Sequence, residues 1–246
     1  MRVAVISDIH SNLPALEAVL GEIDAADPEQ AWCLGDVVGY GADPDACTDL
    51  VRERCDLCLV GNHDLAVLGE LDISSFSETA AAAVEWTRSN VTENTLGFLG
   101  ELKPAARLEG VSLFHASPRD PIWEYVLSIE QAEACIDANP DRVALIGHSH
   151  VSLFFVRPES SLEGDTQGAQ VGDGAQLDLE RGRWLLNPGS IGQPRDGDPR
   201  AAWLELDTEE QTAHFHRVAY DIDRAAASIA AAGLPKRLAE RLHGGQ

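Results

Sequence analysis

The sequence predicts an α/β fold in which short buried strands alternate with amphipathic helices. Apolar runs of four or five residues recur along the first two thirds of the chain, and several are followed by segments with apolar residues at helical spacing. The turns after these runs carry Asp, Asn and His beside glycine. Open α/β sheets build binding sites at the carboxyl ends of their strands, so we expect a site where these turns meet.

The first βα unit combines a strand over residues 3–6 with a helix that begins near Leu13. Ser11 and Asn12 are residues that cap helices, and Pro14 is tolerated in a first helical turn. The apolar positions that follow recur at roughly helical spacing, namely Leu13, Leu16, Leu20 and Ile23.

The same alternation predicts the next elements. We expect strands over residues 31–34, 57–60, 111–115, 142–146 and 151–157. We expect helices over residues 44–54, 77–89, 92–102 and 129–138.

The last third of the chain has a different pattern. Residues 158–174 are polar and predict an exposed loop. Strands of a second, largely antiparallel sheet are predicted over residues 177–179, 183–186, 202–206 and 213–218, followed by helices over 223–232 and 235–242. A chain of 246 residues fits one α/β domain, so residues 1–246 are interpreted as a single domain.

The charge of the chain disfavours polyanionic partners. Lys and Arg total 18 against 41 Asp and Glu, which gives a formal net charge of −23. The summed field of such a surface repels duplex nucleic acid and anionic membranes. No apolar run reaches the roughly 18 residues of a membrane span, so we expect a soluble, cytoplasmic protein.

Cysteine and tryptophan predict core packing rather than chemistry. The five cysteines are an odd number without secretory context, which predicts reduced thiols. Cys55 and Cys58 form an isolated C-x-x-C and are interpreted as small buried residues near a strand. The tryptophans within helical or strand patterns are interpreted as core residues, namely Trp86, Trp123, Trp184 and Trp203.

Histidines at the predicted strand ends are the strongest functional signal. Any one of them is more often a core or surface residue than a metal ligand. The five that lie at strand ends in glycine-bounded turns are His10, His63, His115, His148 and His150. Their order in the motifs Asp-x-His, Gly-Asp-x-x-Gly, Gly-Asn-His-Asp, a strand-end His and Gly-His-x-His predicts one metal site.

Other catalytic classes lack their motifs. The sequence contains neither a phosphate-binding G-x-x-x-x-G-K-[ST] loop nor a G-x-G-x-x-G at a strand–helix junction. A Ser-His-Asp hydrolase could use His63 and Asp64, but no serine lies in a nucleophile-elbow context.

These motifs resemble the signature blocks of the calcineurin-like metallophosphoesterase superfamily. The matching blocks are residues 8–10, 35–39, 61–64, His115 and 147–150. Gly-Tyr-Gly after Asp36, His-Ala-Ser-Pro-Arg from His115 and Asn-Pro-Gly-Ser-Ile-Gly-Gln-Pro-Arg from Asn187 are similar to the small prokaryotic phosphodiesterase branch related to diadenosine tetraphosphatases. The resemblance implies a four-layer α/β/β/α sandwich with two mixed β-sheets.

The resemblance also implies two divalent metal ions. The first would be held by Asp8, His10 and His150, the second by Asn62, His115 and His148, with Asp36 as the bridging carboxylate. Ligands without thiolates suit Mn, Fe, Ni, Co or Zn, and family likeness favours Mn. A hydroxide between the two metals would attack phosphorus.

Four further residues complete the implied site. His63 is the candidate general acid, and Asp64 is expected to orient it. Arg119 and Arg195 are candidate clamps for substrate phosphate, but each directly precedes an aspartate in a loop and could equally be ion-paired.

The expected function is metal-dependent hydrolysis of a small phosphodiester or nucleotide-type substrate. A phosphomonoesterase or protein phosphatase is the runner-up. The same fold also serves as an interaction scaffold in a retromer subunit, although a scaffold has no need of a general acid. Neither a nucleic-acid duplex nor a membrane is an expected partner, and the sequence leaves a homo-oligomer open.

Overall fold

The computed structural model describes residues 1–159 and 165–246. Its strands are β1 Arg2–Ile6, β2 Gln30–Cys33, β3 Leu57–Cys58, β4 Ala105–Leu108, β5 Val111–Phe114, β6 Val143–Leu145, β7 Leu153–Arg157, β8 Gln167–Gln170, β9 Gln176–Asp178, β10 Arg183–Asn187, β11 Ala201–Asp207 and β12 Thr212–Val218. Its α-helices are α1 Leu13–Ala26, α2 Pro44–Arg54, α3 Asn62–Leu68, α4 Glu78–Asn90, α5 Glu93–Glu101, α6 Ile129–Ala138, α7 Ile222–Ala231 and α8 Lys236–Glu240. Short 3₁₀ turns cover Ile73–Ser75 and Arg241–Gly244.

Two six-stranded sheets form the centre of the molecule. The first has the order β3-β2-β1-β11-β12-β9, and the second has the order β4-β5-β6-β10-β7-β8. In the first sheet β1, β2 and β3 are parallel, whereas β11, β12 and β9 are joined by antiparallel pairs. In the second, β5, β6 and β10 are parallel and the flanking strands are antiparallel. Both sheets are therefore mixed, as predicted.

Alternating side chains of β1 show how the layers are stacked. Val3 and Val5 pack in one buried cluster with Leu113 and Leu145 of the second sheet, so the two sheets face each other. The alternate residues Ala4 and Ile6 pack in another cluster with α1. Helix α6 covers the outer face of the second sheet through a third cluster. This arrangement confirms the predicted α/β/β/α sandwich.

Two predictions for the last third of the chain are wrong. The four predicted strands do not form a separate antiparallel sheet, because β11, β12 and β9 extend the sheet of β1 and β10 lies between β6 and β7. The predicted loop over residues 158–174 contains the edge strand β8, whose four residues are all exposed and give no apolar pattern. Residues 160–164 of that prediction lie outside the described residues.

Three smaller differences concern local structure. The Gly-Asn-His-Asp motif, predicted as a turn, is the start of α3, and the strand β4 was not predicted. All five cysteines are free, but Cys55 and Cys58 are half-buried rather than buried. Among the helices in the described ranges, none combines the length and the apolar composition needed to cross a membrane.

Candidate metal centre

The loops that follow β1, β2 and β6 hold the predicted ligands in an uncommon backbone conformation. The φ angle is 53° at Asp8, 49° at His10, 53° at Asp36, 63° at His148 and 59° at His150. Residues other than glycine rarely adopt this left-handed conformation, and those that do are concentrated at functional sites. Five of the seven predicted ligands therefore share a strained conformation.

Main-chain hydrogen bonds between the first two loops stabilise this conformation. The Asp8 N–H donates to the Gly35 carbonyl oxygen and the His10 N–H to that of Asp36, each over 3.0 Å. Ser11 N–H continues the series by donating to the oxygen of Val37, also over 3.0 Å. The two loops thus extend the pairing of β1 and β2 beyond the strand ends.

A first group of ligand atoms comes from Asp8, His10, Asp36 and His150. These side chains are buried and each offers an atom within 4.8 Å of the others. The His150 Nε2 lies 3.4 Å from Asp8 Oδ1, and the His10 Nε2 lies 3.5 Å from Asp36 Oδ2. Two carboxylates and two imidazoles form a donor set suited to a divalent transition metal.

A second group shares Asp36 with the first. The ligand atoms of Asp36, His115 and His148 lie within 4.8 Å of one another. The Asn62 Oδ1 is 3.1 Å from His115 Nε2, which in turn is 3.7 Å from Asp36 Oδ2. All seven predicted ligands are thus brought together, and Asp36 is common to both groups.

Main-chain carbonyl oxygens fix the orientation of three imidazoles. The Nδ1 atoms of His10, His115 and His150 lie 3.1, 3.0 and 2.7 Å from main-chain oxygens of residues 38, 34 and 193. A carbonyl can only accept, so each Nδ1 carries the proton and each Nε2 presents a lone pair to the centre. This is the tautomer that a metal ligand needs.

Unpartnered polar atoms point to a cation. Within the described ranges, Asp8 Oδ1, Asp36 Oδ2 and His148 Nε2 have no hydrogen-bond partner, although their residues are at most 3% exposed. Leaving such atoms buried and unpaired costs about 1 to 3 kcal/mol each, and more for charged groups. The donor set therefore fits divalent metal ions bound by these atoms.

The second oxygen of each carboxylate is held by the protein. The Asp8 Oδ2 accepts hydrogen bonds from the Ser7 hydroxyl at 2.7 Å and the His148 N–H at 3.1 Å. The Asp36 Oδ1 accepts one from the His63 N–H at 2.8 Å. Each carboxylate is thereby oriented with its free oxygen toward the histidines.

Burial sets the protonation states of the ligands. It raises the pKa of Asp8 to about 7 and raises the pKa of Asp36 as well. It lowers the pKa of His10, and it lowers that of His148 to about 2. The imidazoles of His10 and His148 are therefore neutral at pH 7, while the two carboxylates require nearby positive charge to remain ionised.

His63 lies beside the ligands without belonging to either group. Its ring centroid is 4.8 Å from that of His10 and 4.3 Å from that of Tyr40, and its Nδ1 has no hydrogen-bond partner in the described part of the chain. Gly39 permits this position, because a Cβ there would lie 2.6 Å from His63 Nδ1.

Asp64 does not orient His63 as predicted. Its Oδ1 accepts a hydrogen bond from the Val38 N–H at 3.0 Å, and its Oδ2 accepts one from the Gly61 N–H at 2.9 Å. Among the described residues, no hydrogen bond or ion pair joins Asp64 to the His63 ring. Asp64 caps α3 instead and ties this helix to the loop after β2, because its carboxylate satisfies main-chain donors that lack other partners.

The two candidate clamps lie in different environments. Arg195 lines a pocket beside Asn62 and His63, where it donates to Gln193 Oε1 at 3.2 Å and its Nε lacks a partner among the described residues. Arg119 is 3.4 Å from Glu124 Oε1 and does not line that pocket. The ion-paired alternative therefore applies to Arg119.

Several residues of the site gave little signal in the sequence. Trp123 was predicted in the core but is 36% exposed at the pocket, where Tyr125 is also exposed. Arg237 and Arg241 reach the same pocket from the end of the chain. The sequence signal that could have grouped these two arginines is their spacing of four residues, which places both on one face of a helix.

Comparisons with known proteins identify the family. The Calcineurin-like phosphoesterase superfamily domain matches residues 1–209. Uncharacterized protein MJ0912 of Methanocaldococcus jannaschii is 38% identical over 245 residues, which cover 98% of this chain and 96% of that protein. The chain belongs to the calcineurin-like phosphoesterase superfamily, which confirms the resemblance of its motifs.

Two solved structures share the fold over the whole chain. The crystal structure of a metallophosphoesterase from Sphaerobacter thermophilus has a TM-score of 0.90 and 39% identity, and the match covers 100% of this chain and 99% of that one. Hypothetical protein PH1004 from Pyrococcus horikoshii has a TM-score of 0.78 and 19% identity, with 100% and 98% covered. The second likeness shows the fold alone.

Proposed function

We propose that this protein is a binuclear metal-dependent phosphoesterase that hydrolyses phosphodiester or nucleotide-type substrates. The observation that carries the proposal is the pair of ligand groups that share the Asp36 carboxylate. One group would hold the first divalent ion and the other, with Asn62, the second. Such ions, when bound, lower the pKa of a water molecule and neutralise charge on phosphoryl oxygens.

His63 is the residue proposed to move a proton. Its ring lines the pocket beside Asn62, and we place the leaving group in that pocket, where the ring can donate a proton to it. Burial and then the charge of Arg195 lower the pKa of His63, so the free ring is neutral. An anionic phosphate beside the ring opposes this shift and favours the protonated form that a general acid needs.

Arg195 is proposed to bind a phosphoryl oxygen. Its guanidinium lines the pocket with Asn62 and His63, and no carboxylate of the described residues lies within ion-pair distance of it. Arg119 and Asp64 are not assigned to substrate, because the first pairs with Glu124 and the second caps α3.

Metal reconstitution tests the proposal. The chain is stripped with a chelator, and hydrolysis of bis-p-nitrophenyl phosphate is then measured after addition of Mn(II), Fe(II), Ni(II), Co(II) or Zn(II). We expect activity to return with at least one ion, Mn(II) being favoured, and to be lost in His150→Ala. Protein that remains inert with every ion would instead indicate a scaffold.

A substrate panel tests the preference for diesters. Bis-p-nitrophenyl phosphate and p-nitrophenyl phosphate carry the same leaving group, so the ratio of their kcat/KM values compares diester with monoester directly. We expect the diester to be favoured. A preference for the monoester would support a phosphomonoesterase or protein phosphatase.

A further inference from the structure

A large pocket adjoins the candidate metal centre. Its volume is about 770 Å³, and its lining includes the predicted ligand Asn62 and the neighbouring His63. Pockets for small molecules have volumes of about 300 to 1,000 Å³. The pocket has room for more of a substrate than the phosphate at the metals.

The pocket is cationic in an acidic protein. Arg195, Arg237 and Arg241 line it, and no Asp or Glu of the described residues does so, although the net charge of the chain is −23. Burial and then the charge of Arg195 lower the pKa of Arg241. Three guanidinium groups that repel one another at one pocket are stabilised by a bound anion.

Arg237 is not used in an ion pair. Within the described ranges it has no carboxylate within 4.0 Å, whereas Arg241 donates one side-chain hydrogen bond, from Nε to an oxygen of Gln246, and its two Nη groups have no partner. Arg237 is exposed and lies beside Lys236, which does pair with Glu240. The free guanidinium donors of both arginines are thus available to a ligand.

Aromatic rings also line the pocket. Trp123 is 36% and Tyr125 is 41% exposed. The Trp123 ring lies edge-on to Phe76 with centroids 5.3 Å apart, and Tyr125 stacks on His148 at 4.1 Å. Exposed rings that neighbouring rings hold in place offer a surface on which a planar base can stack.

Two of the three arginines come from outside the part of the chain that matches the superfamily domain. That match ends at residue 209, whereas Arg237 and Arg241 belong to α8 and the following turn. Leu238 and Leu242 pack with Tyr40, Ala80 and Ala83 in one buried cluster. The Gly197 N–H also donates to the Gly245 oxygen at 3.0 Å, which fixes this segment beside Arg195.

We propose that this pocket selects nucleotide-type substrates that carry a second phosphate beyond the one that is hydrolysed. Arg237 and Arg241 bind the second phosphate, and the exposed face of Trp123 stacks on the base. The inference rests on the proposed function for the position of the scissile phosphate. The binding it predicts does not require turnover.

Binding of ADP and AMP to the full chain tests the arginines. Isothermal titration calorimetry in the presence of a chelator measures affinity without hydrolysis. We expect wild type to bind ADP about tenfold or more tightly than AMP, because hydrogen bonds to charged groups contribute about 1.5 to 3 kcal/mol each. Arg237→Gln and the double variant Arg237→Gln/Arg241→Gln should lose most of this preference.

Arg181→Gln is the matched control, because it removes one exposed arginine without an ion pair in the described ranges and Arg181 does not line the pocket. It should retain the preference for ADP. No ADP binding to wild type, or an ADP preference that the Arg237 variant retains, would overturn the inference. Because the Arg237 side chain is exposed, its replacement should not unfold the protein, so a lost preference for ADP in this variant reports on binding.

Trp123→Leu and Trp123→Phe test the aromatic face. We expect Trp123→Leu to weaken ADP binding about fivefold or more while pyrophosphate binding changes less, since stacking on a base contributes about 1 to 3 kcal/mol. Trp123→Phe keeps an aromatic ring and should therefore retain much of the ADP affinity that Trp123→Leu loses. Equal losses for ADP and pyrophosphate would remove Trp123 from base binding.

The two proposals can fail separately. If ADP binds as expected but no metal supports hydrolysis of bis-p-nitrophenyl phosphate, the proposed phosphoesterase function fails and the pocket remains a nucleotide site. If bis-p-nitrophenyl phosphate is hydrolysed but ADP is bound no better than AMP, the function stands and the inference on the second phosphate is overturned.

Discussion

The Nε2 atoms of His10 and His150 lie 3.1 Å apart, although both rings carry their proton on the opposite nitrogen. Two lone pairs at this distance repel, and no hydrogen bond can join them. A divalent cation bound by both nitrogens would replace this repulsion with coordination. The pair therefore predicts that metal binding stabilises the folded protein.

Removal of metal should lower thermal stability. Metal binds the folded state preferentially, so ions at about 100 times their dissociation constant add about 2.7 kcal/mol, which raises Tm by roughly 5 to 10 °C in a chain of this size. Differential scanning calorimetry with and without a chelator measures the change. A Tm that is the same in both conditions would contradict metal binding at this cluster.

His63→Ala should keep the metals and lose rate on substrates with poor leaving groups. General acid catalysis contributes about 100-fold or more, and its contribution is greatest when the leaving oxygen is basic. We expect a large loss for an alkyl phosphodiester and a smaller one for bis-p-nitrophenyl phosphate. Equal activity of wild type and variant on the alkyl ester would remove His63 from the mechanism.

Gly39→Ala should displace His63 and destabilise the fold. Gly39 has a φ of 93°, and a Cβ there would meet His63 Nδ1 at 2.6 Å. The strain costs about 1 to 3 kcal/mol in the free energy of unfolding, measured by urea denaturation. Gly21→Ala is the control, because its Cβ enters open space on α1 and should stabilise the protein by about 0.5 to 1 kcal/mol.

Arg195→Gln should impair turnover more than Arg119→Gln. Arg195 lines the pocket beside Asn62 and His63, whereas Arg119 is half exposed and paired with Glu124. We expect kcat/KM for bis-p-nitrophenyl phosphate to fall about tenfold or more in the first variant and less than about threefold in the second. The reverse order would show that the substrate approaches from the side of Arg119.

Asp141→Asn should destabilise the protein more at pH 7 than at pH 3. Asp141 accepts hydrogen bonds from Arg107 Nε at 2.8 Å and from the Ser112 hydroxyl at 2.6 Å. The hydrogen bond from Arg107 is the main cause that lowers the pKa of Asp141. A carboxyl with a lowered folded-state pKa stabilises the fold above its unfolded pKa of about 4, and this contribution is lost as pH falls through the folded value.

Urea denaturation of wild type and Asp141→Asn at both pH values measures that difference. We expect about 1 to 2 kcal/mol at pH 7 and a smaller difference at pH 3. A difference that is independent of pH would assign the effect of Asp141 to packing rather than to charge.

The α/β class and the meeting of ligand side chains at strand ends could be predicted because local sequence encodes them, whereas the four-layer sandwich and the ligand assignment followed from the resemblance of the motifs. Apolar strands followed by glycine-bounded turns place Asp8, His10 and Asp36 at adjacent strand ends, and parallel pairing of β1 and β2 then brings the loops together. The grouping of strands could not be predicted in the same way. The strand β10 has an apolar pattern on both faces, which fits a central position in either sheet.

The pocket could not be predicted because it depends on long-range contacts. Tryptophan is a residue type usually packed in the core, and the exposure of Trp123 depends on tertiary packing that places its ring 6.4 Å from the ring of His148. Asp64 follows His63 directly in sequence, yet its carboxylate accepts hydrogen bonds from the N–H groups of Gly61, which precedes α3, and of Val38, in the loop after β2. The interpretation of residues 1–246 as one domain stays a prediction.

Metal content of Asp36→Asn and Asp8→Asn tests the central claim most directly. After reconstitution with Mn(II) and removal of free ions, metal per chain is measured by inductively coupled plasma mass spectrometry. The shared Asp36 carboxylate predicts about two ions per chain in wild type, about one in Asp8→Asn and markedly fewer than one in Asp36→Asn. One ion or none in wild type, or equal content in the two variants, would contradict a binuclear centre bridged by Asp36.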